Sequence, residues 1–244
     1  MSIIKRKIVE KNAVNGLYPY STFFLSNVHM RFKEYFKNHF ATIGLVGMNE
    51  AIMNLLGKDE NITTEKGQKF AAEVLEYMRD IITEYQVETG NLYNLEATPA
   101  ESTSYRLARH DKEQYPDIIT SGVKEPFYTN SSQLPVDFTS DVFEALDHQE
   151  ALQTKYTGGT MFHVFMGEAL KDWKACSDLV RTISSRYRIP FFTISPTYSI
   201  CRIHGYLPGE QFECPKCKAE RERELMSKLE SLQAEKEKIL SKNK

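Results

Sequence analysis

Three of the four cysteines lie within seventeen residues, and together with one histidine they constrain the fold more than any other feature. Two residues separate Cys201 from His204, two separate Cys214 from Cys217, and nine lie between the pairs. Three thiolates and an imidazole can close a tetrahedron around one Zn²⁺, which is the ligand count of a structural zinc site. Turn-forming residues at 205–209 let the chain double back. The spacing therefore predicts a zinc ribbon.

Two alternatives to this ligand set stay open. A disulfide is the weaker interpretation for a chain without an export signal. His204 either ligates the metal or lies beside a three-cysteine site, and we favour ligation. Because protein atoms would fill all four positions, we expect the metal to stabilise structure and not to activate water.

The composition excludes several classes of function. The net charge is -2 and charged residues make up 26% of the chain, so we expect no nucleic-acid or membrane surface. No apolar run approaches the roughly 20 residues that span a bilayer. The N-terminus lacks the apolar segment of a secretory signal. Because the cysteines are few and clustered, they fit a reducing compartment, and we expect a cytoplasmic protein.

Short apolar segments alternate with helical patterns along the chain. Strands are predicted at 42–47, 92–97, 160–166 and 191–194. Helices are predicted at 28–39, at 48–56, from a cap at Thr63 or Thr64 to Gly90, behind Pro99, behind a cap at Ser140, and at 170–183. The strands are apolar on both faces, which is typical of a mostly parallel sheet covered by helices. The sequence therefore predicts an α/β architecture.

The C-terminal segment differs in composition from the rest of the chain. Residues 218–244 hold eight Lys or Arg and six Glu, with no aromatic residue, Gly or Pro. Apolar side chains keep a short heptad spacing at Leu225, Leu229, Leu232 and Ile239. We favour a single charged helix that projects from the zinc module, and a coiled coil with a partner remains the alternative.

Polar side chains follow the predicted strands at three places where an α/β sheet collects ligands. Glu96 closes a strand and Glu101 lies in the next helical turn, where an acid also suits the helix dipole. Five polar residues at 129–133 interrupt an apolar stretch. Two glycines within 156–160 let a backbone approach a ligand, although a plain turn explains them as well. No general nucleotide-binding or hydrolase motif is present, so these stretches alone name no reaction.

Six separated motifs nevertheless give the chain a specific resemblance. They are GLYPY at 16–20, NHFATIGLVGMNE at 38–50, LEATPAES at 95–102, YTNSSQLPV at 128–136, LQTKYTGGT at 152–160 and the Cys/His signature at 201–217. In this order they resemble the anaerobic (class III) ribonucleoside-triphosphate reductases. The resemblance runs from about residue 5 to about residue 220.

The resemblance implies a fold, a reaction and partners. The chain would form part of a ten-stranded glycyl-radical-type α/β barrel at 1–195, followed by a zinc ribbon at 196–220 and a charged helical tail at 221–244. In this family a glycyl radical, installed by an iron–sulfur and S-adenosylmethionine activase, oxidises a cysteine to a thiyl radical. The thiyl radical abstracts the ribose 3′ hydrogen, and the 2′ hydroxyl of the ribonucleoside triphosphate leaves as water. Formate or a thiol system supplies the electrons, and we expect the complete enzyme to be a homodimer.

The sequence departs from the family pattern in two places that matter for catalysis. The thiyl cysteine is expected upstream of Gly16, and Cys176 lies in the wrong region to replace it. The glycyl-radical segment is expected behind the zinc site, where this sequence has its charged helix. The nucleotide-binding regulatory cone of the family is not found either. We therefore expect either a piece of a split enzyme, completed by reductase segments on other chains, or a truncated remnant, and no reduction by this chain alone.

The resemblance also suggests which residues contact substrate. By their positions in the family motifs, the implied substrate-pocket residues are Glu96, Thr98, Glu101, Asn130, Ser131 and Gln133. Lys155 and the segment 158–160 are fainter candidates. No residue of this chain is predicted to be catalytic by itself. The competing hypothesis is a non-enzymatic zinc-binding interaction module on a degenerate barrel scaffold.

Overall fold

The computed structural model describes residues 2–122, 125–135, 138–166, 170, 172–196, 198–208 and 213–242. The helices in these ranges are α1 (Ser2–Val14), α2 (Pro19–Phe24), α3 (Ser26–Phe32), α4 (Met48–Leu56), α5 (Glu65–Thr89), α6 (Glu101–Gln114), α7 (Val142–Gln153), α8 (Trp173–Arg186) and α9 (Pro215–Lys242). The strands are β1 (Phe40–Gly44), β2 (Leu92–Glu96), β3 (Phe162–Met166), β4 (Phe192–Pro196), β5 (Tyr198–Cys201) and β6 (Gly205–Pro208).

The chain divides into two compact units. The first comprises Met1–Val164 and Ile183–Thr193, and the second comprises Phe165–Thr182 and Ile194–Lys244. The three predicted domains, 1–195, 196–220 and 221–244, stay a prediction. In the described part of the chain no helix combines the length and the apolarity that a membrane crossing requires.

Strands β1 and β2 form the parallel pair on which the candidate substrate residues depend. Their register runs from Phe40 opposite Leu92 to Gly44 opposite Glu96. Strand β1 ends three residues earlier than the predicted 42–47, because Gly47, with φ 80°, already caps α4. At Gly44 a Cβ atom would lie 2.1 Å from the Thr98 hydroxyl oxygen, so the close approach requires glycine here.

The core of the first unit lies between β2 and the helices α4, α5 and α7. Ile52, Leu75, Leu95 and Leu152 are fully buried in it. Each such side chain contributes about 1.5–3 kcal/mol relative to exposure. Helix α5 presents its apolar stripe to this core, so the predicted long helix is confirmed. Its N-terminus is also as predicted, since the Thr64 hydroxyl accepts a hydrogen bond from the amide of Gly67 at 3.1 Å.

The predicted helix at 28–39 is wrong in its second half. Helix α3 ends at Phe32, and Lys33 follows in the left-handed conformation at φ 62°. Tertiary hydrogen bonds then replace helical ones, because the Glu10 carboxylate accepts from the amides of Tyr35 at 2.6 Å and Phe36 at 3.1 Å. A contact with a residue 25 positions away cannot be found from local periodicity.

Smaller boundary corrections have local causes. Asp141, and not Ser140, caps α7, because its carboxylate accepts from the amides of Phe143 at 2.8 Å and Glu144 at 3.3 Å. Helix α6 begins at Glu101 and extends to Gln114, beyond the predicted end near residue 110. The predicted strands at 160–166 and 191–194 are present as β3 and β4, which form a separate two-stranded sheet.

The second unit contains a β hairpin that is followed by a long helix. Strands β5 and β6 pair antiparallel, with Cys201 opposite Gly205. Helix α9 confirms the predicted charged helix, and Leu225 and Leu229 of the heptad pattern are exposed on it. The side chains of the other two heptad positions, 232 and 239, lie outside the described part.

Candidate functional site

The four predicted metal ligands come together in the second unit. Cys201 ends β5, His204 lies in the turn before β6, Cys214 precedes α9, and Cys217 lies in the first turn of α9. Their ligand atoms all lie within 4.8 Å of one another. The predicted grouping is therefore confirmed, and it arises because a tight hairpin and a helix N-terminus each carry one pair.

The distances within this Cys/His cluster suit a small tetrahedral ion. His204 Nδ1 lies 3.3 Å from the sulfur of Cys217, 3.5 Å from that of Cys214 and 3.7 Å from that of Cys201. Ligands bonded to zinc at about 2.3 Å stand about 3.8 Å apart at the corners of a tetrahedron. The three cysteines are free thiols, and soft sulfur donors with an imidazole select metals such as zinc.

The ionisable groups of the cluster perturb one another's pKa values. Hydrogen bonds from the backbone amides of His204 and Ile203 lower the pKa of Cys201 to about 6. The neighbouring sulfur of Cys201, together with burial and the Cys214 sulfur, raises the pKa of Cys217 to about 12. The hydrogen bond with Cys201, followed by those with Cys214 and Glu220, raises the pKa of His204, although burial opposes this shift. A divalent cation among these groups would offset their mutual repulsion.

In the first unit, the polar segment 129–133 lies beside the start of α4. The amide of Gly47 donates to the Thr129 carbonyl at 2.8 Å, and the amide of Met48 donates to the Ser131 carbonyl at 3.0 Å. Ser131 adopts the left-handed conformation at φ 46°. These bonds hold the segment, which we call the polar loop, against the end of the β1–α4 connection.

A buried carboxylate fixes the first residue of the polar loop, Thr129. Glu50 is 1% exposed and accepts from the Thr129 amide at 2.9 Å and the Thr129 hydroxyl at 2.7 Å. It also accepts from the Ser121 hydroxyl at 2.5 Å and the Asn49 amide nitrogen at 3.2 Å. Since a buried carboxylate needs such donors, Glu50 joins three separate segments of the chain.

A network of hydroxyl and amide groups fixes the second half of the polar loop, at Ser131 and Ser132. The Tyr156 hydroxyl lies 2.6 Å from the Ser131 oxygen and 2.8 Å from the Ser132 oxygen. Burial raises the pKa of Tyr156, so this hydroxyl stays protonated at neutral pH. Gln149 donates to the Ser132 carbonyl at 3.1 Å, and Gln153 donates to Gln149 at 2.7 Å. The loop is thereby held from two sides.

Two predicted substrate residues of the polar loop also bond to neighbouring elements. The Asn130 side-chain oxygen accepts from the amide of Ala100 at 3.0 Å, so the loop touches the N-terminus of α6. The Gln133 amide nitrogen donates to the Met161 carbonyl at 2.7 Å. Ser131 is fully buried, and its hydroxyl bonds to protein.

The remaining predicted substrate residues lie at the carboxyl end of β2. Glu96 is the last residue of β2 and is partly exposed. Its carboxylate makes no hydrogen bond within the described residues. Thr98 packs against Gly44, and Glu101 begins α6 with a side chain that lies outside the described part. The structure thus brings the β2 end, the α6 start and the polar loop together, while the contacts with substrate stay a prediction.

The fainter candidates have contacts within the protein. Lys155 forms an ion pair with Glu76. The amide of Gly158 donates to the Leu95 carbonyl at 2.7 Å, and a Cβ atom at Gly158 would lie 2.8 Å from the Asn94 amide nitrogen. The Thr160 hydroxyl is buried and donates to Gln153. Gly158 therefore allows the chain to approach β2 closely.

Sequence reasoning missed the residues that support both regions. Glu50 and Tyr156 hold the polar loop, and Glu220 lies 3.1 Å from His204 in the second unit. No local signal pointed to Glu50, because its burial and its distant partners exist only in the folded chain. Glu220 follows Cys217 by three residues on one helix, a spacing that places both on one face.

Comparison with known proteins identifies the class to which this fold and these residues belong. The profile of the family described as anaerobic ribonucleoside-triphosphate reductase matches residues 1–229. The chain belongs to that family, as its motifs predicted.

Curated relatives carry the same description at low identity. The anaerobic ribonucleoside-triphosphate reductase of Haemophilus influenzae is 25% identical over 189 residues, which make up 75% of this chain and 26% of that protein. The Escherichia coli protein is 24% identical over 191 residues, with the same coverage. The chain thus spans about a quarter of the length of these relatives.

Solved structures confirm the fold class. The anaerobic ribonucleotide reductase of Thermotoga maritima with MES in its active site superposes with a TM-score of 0.60 and 27% identity. That match covers 87% of this chain and 33% of the other. The same reductase in complex with dATP and CTP gives a TM-score of 0.58 and 25% identity. The chain therefore has the fold of part of the reductase barrel, as predicted.

Proposed function

We propose that this chain forms a portion of an anaerobic ribonucleoside-triphosphate reductase, which converts ribonucleoside triphosphates to deoxyribonucleoside triphosphates. The observation that carries the proposal is the family match over residues 1–229. Because the chain spans about a quarter of its curated relatives, the activity requires the parts of the reductase that it does not span. Those parts, on other chains or segments, are its proposed partners.

The reaction chemistry in this family comes from a glycyl radical, and the protein contributes binding and orientation. A glycyl radical supplies the one-electron oxidation that generates a reactive thiyl group. We propose an S-adenosylmethionine-dependent activase as a second partner, a homodimeric complete enzyme and a cytoplasmic location. The residues of this chain bind the nucleotide, orient its ribose and exclude water.

The Cys/His cluster is proposed to hold one structural Zn²⁺ through Cys201, His204, Cys214 and Cys217. The support is its donor set of three thiolates and an imidazole, with all ligand atoms within 4.8 Å of one another. Because protein fills all four positions, the metal would stabilise the hairpin and the start of α9. The geometry favours His204 as a ligand, since its Nδ1 faces all three sulfurs.

The substrate is proposed to bind where the end of β2, the start of α6 and the polar loop converge. Glu96, Thr98, Glu101, Asn130, Ser131 and Gln133 are the proposed substrate-pocket residues. The Glu96 carboxylate has no hydrogen-bond partner within the described residues, so it is available to a ribose hydroxyl. A helix N-terminus such as that of α6 also suits a phosphate group. The buried Ser131 would contribute by holding the loop, since its hydroxyl bonds to Tyr156.

Complementation tests the proposed function. The chain is combined with the segments of the reductase catalytic subunit that it does not span, then supplied anaerobically with activase, S-adenosylmethionine, reductant and ribonucleoside triphosphates. We expect deoxyribonucleotide only from the complemented assembly, and at least a tenfold lower rate with Glu96→Gln. Glu84→Gln on the exposed face of α5 is the matched control, with an unchanged rate.

Two outcomes would overturn this assignment. Deoxyribonucleotide formation by the chain alone would contradict the need for partners. A complemented assembly that binds zinc but forms no deoxyribonucleotide would favour the alternative, a zinc-binding interaction module on a barrel scaffold.

A further inference from the structure

The His204 ring lies between the three sulfurs and a carboxylate of α9. Its Nδ1 faces the sulfurs at 3.3 to 3.7 Å, while its Nε2 lies 3.1 Å from a carboxylate oxygen of Glu220. The His204 side chain is 16% exposed, whereas that of Glu220 is 51% exposed. The two ring nitrogens therefore have different surroundings, one of soft metal donors and one of a hydrogen-bond acceptor.

Helix α9 supplies both a ligand and this carboxylate. Cys217 lies in the first turn of α9 and Glu220 lies one turn later. Residues three apart share a helix face, so the turn that places the Cys217 sulfur in the cluster also directs Glu220 to the outer edge of the His204 ring. The position of Glu220 thus depends on the same element as the metal ligand.

The tight turn between Cys201 and Gly205 explains why Nδ1 faces inward. Nδ1 is the ring nitrogen nearer to the backbone, and a ligand from a short turn has little reach toward the cluster centre. Nε2 then points outward and carries the ring proton, which it can donate to a neighbouring acceptor. Which nitrogen of a histidine binds a metal is set by the hydrogen bond that the other nitrogen makes.

We propose that Glu220 is a positioning residue, whose carboxylate accepts a hydrogen bond from the Nε2–H of His204 and thereby holds its Nδ1 as the fourth metal ligand. This inference rests on the proposed zinc site. A neutral imidazole oriented in this way needs no ring rotation or tautomer change when the metal binds. A carboxylate acceptor also increases the basicity of the ligating nitrogen.

Zinc affinity measured by competition with a chromophoric chelator tests the proposal. Outer carboxylate partners of ligating histidines typically contribute about 10–100-fold in metal affinity, so Glu220→Ala should weaken zinc binding by about that factor. Glu222→Ala is the matched control, because it removes the same charge from an exposed position of the same helix. Glu220→Gln, which keeps an acceptor oxygen, should lose less than Glu220→Ala.

A second measurement reports the tautomer directly. Long-range ¹H–¹⁵N correlation spectra of the zinc-loaded chain should show His204 bound through Nδ1, with the proton on Nε2. In Glu220→Ala the Nε2–H proton should exchange faster with solvent than in wild type. Circular dichroism should show the same helix content for Glu220→Ala as for the Glu222→Ala control. If Glu220 only stabilised the helix, its loss would not speed the exchange of the His204 Nε2–H proton more than that of other protons in the second unit.

The outcomes separate this inference from the zinc site itself. A wild-type chain that binds no zinc would overturn the proposed metal site. A wild-type chain that binds zinc, with equal affinities for Glu220→Ala and Glu222→Ala, would overturn only the role of Glu220. Binding through Nε2 would overturn it as well. If Glu220→Ala does not fold, the comparison of Glu220→Gln with Glu222→Gln decides in the same way.

Discussion

The Cys/His cluster and the polar loop both hold a chain segment outside regular secondary structure in place, but they do so in different ways. In the cluster, all ligands lie within seventeen residues and the donors converge on one point. In the polar loop, Glu50 bonds to Thr129 across 79 positions, and Ser131 bonds to Tyr156 across 25. One region depends on local spacing and on the proposed metal ion, whereas the other depends on long-range hydrogen bonds inside a packed core.

This difference explains how each region should fail. A metal site gathers most of its stabilising free energy in a few bonds, so the loss of one ligand should release the whole site. A buried hydrogen-bond network distributes its contribution, so the loss of one partner should cost the desolvation of the groups left unpaired. We expect a change in one unit to leave the other unaffected, and four predictions test the two kinds of stabilisation.

The largest effect is expected for Cys214→Ser. Zinc content should fall from about one per chain to nearly none, because structural zinc contributes about 10–16 kcal/mol to the folding of such sites. Hydrogen exchange should become faster in β5, β6 and the first turns of α9, while α5 keeps its protection. Metal analysis and exchange mass spectrometry measure both. Full zinc content in the variant would contradict the site.

Cys176→Ser is the matched control for that experiment. Cys176 lies on α8, away in sequence from the four ligands, so its replacement should leave zinc content unchanged.

Glu50→Ala should be the most damaging change to the polar loop. It leaves the amide and hydroxyl of Thr129 and the hydroxyl of Ser121 without their acceptor, at about 1–3 kcal/mol for each buried group. We expect a total loss of about 3 kcal/mol or more in urea denaturation of the first unit. Zinc content should not change. Glu84→Ala, at an exposed position, should stay within about 0.5 kcal/mol of wild type.

Tyr156→Phe should have a smaller effect on the same loop. The change removes one hydroxyl and leaves those of Ser131 and Ser132 unpaired in the core, which costs about 1–2 kcal/mol. Denaturation midpoints measure it, with the exposed Tyr77→Phe as control. Equal midpoints for the two variants would show that the serine hydroxyls find other partners.

The smallest effect is a pH dependence that His148 imparts to the first unit. Burial lowers the pKa of His148 below its ordinary value of 6.5, although its hydrogen bond to the Ile62 carbonyl opposes this shift. Below pH 6.5 the unfolded chain therefore binds more protons than the folded chain, and stability falls as the pH falls toward the lowered pKa. Above pH 6.5 the contribution is constant.

His148→Gln tests this dependence, because the glutamine amide can still donate to Ile62 but does not titrate. Its denaturation midpoint should vary less between pH 7.5 and 5.5 than that of wild type. An identical pH profile for both proteins would exclude His148 as the source.

The sequence by itself determined the features that depend on neighbours in the chain. The Cys/His spacing identified the cluster, the pair Thr63 and Thr64 together with Gly90 marked the ends of α5, and the motif order identified the family. The first two signals are local, because a hairpin or a helix cap brings its residues together without help from the rest of the fold, and the third can be read along the chain without any contact.

Only the tertiary structure decided which polar residues support the polar loop and where α3 ends. Glu50, Tyr156 and Glu10 act on chain segments that are distant in sequence, and periodicity carries no information about such contacts. Burial of a polar group is tolerated only when a partner is present, and that partner is known only once the core is packed. Glu220 is the intermediate case, since its helix spacing was visible but its acceptor role required the orientation of the His204 ring.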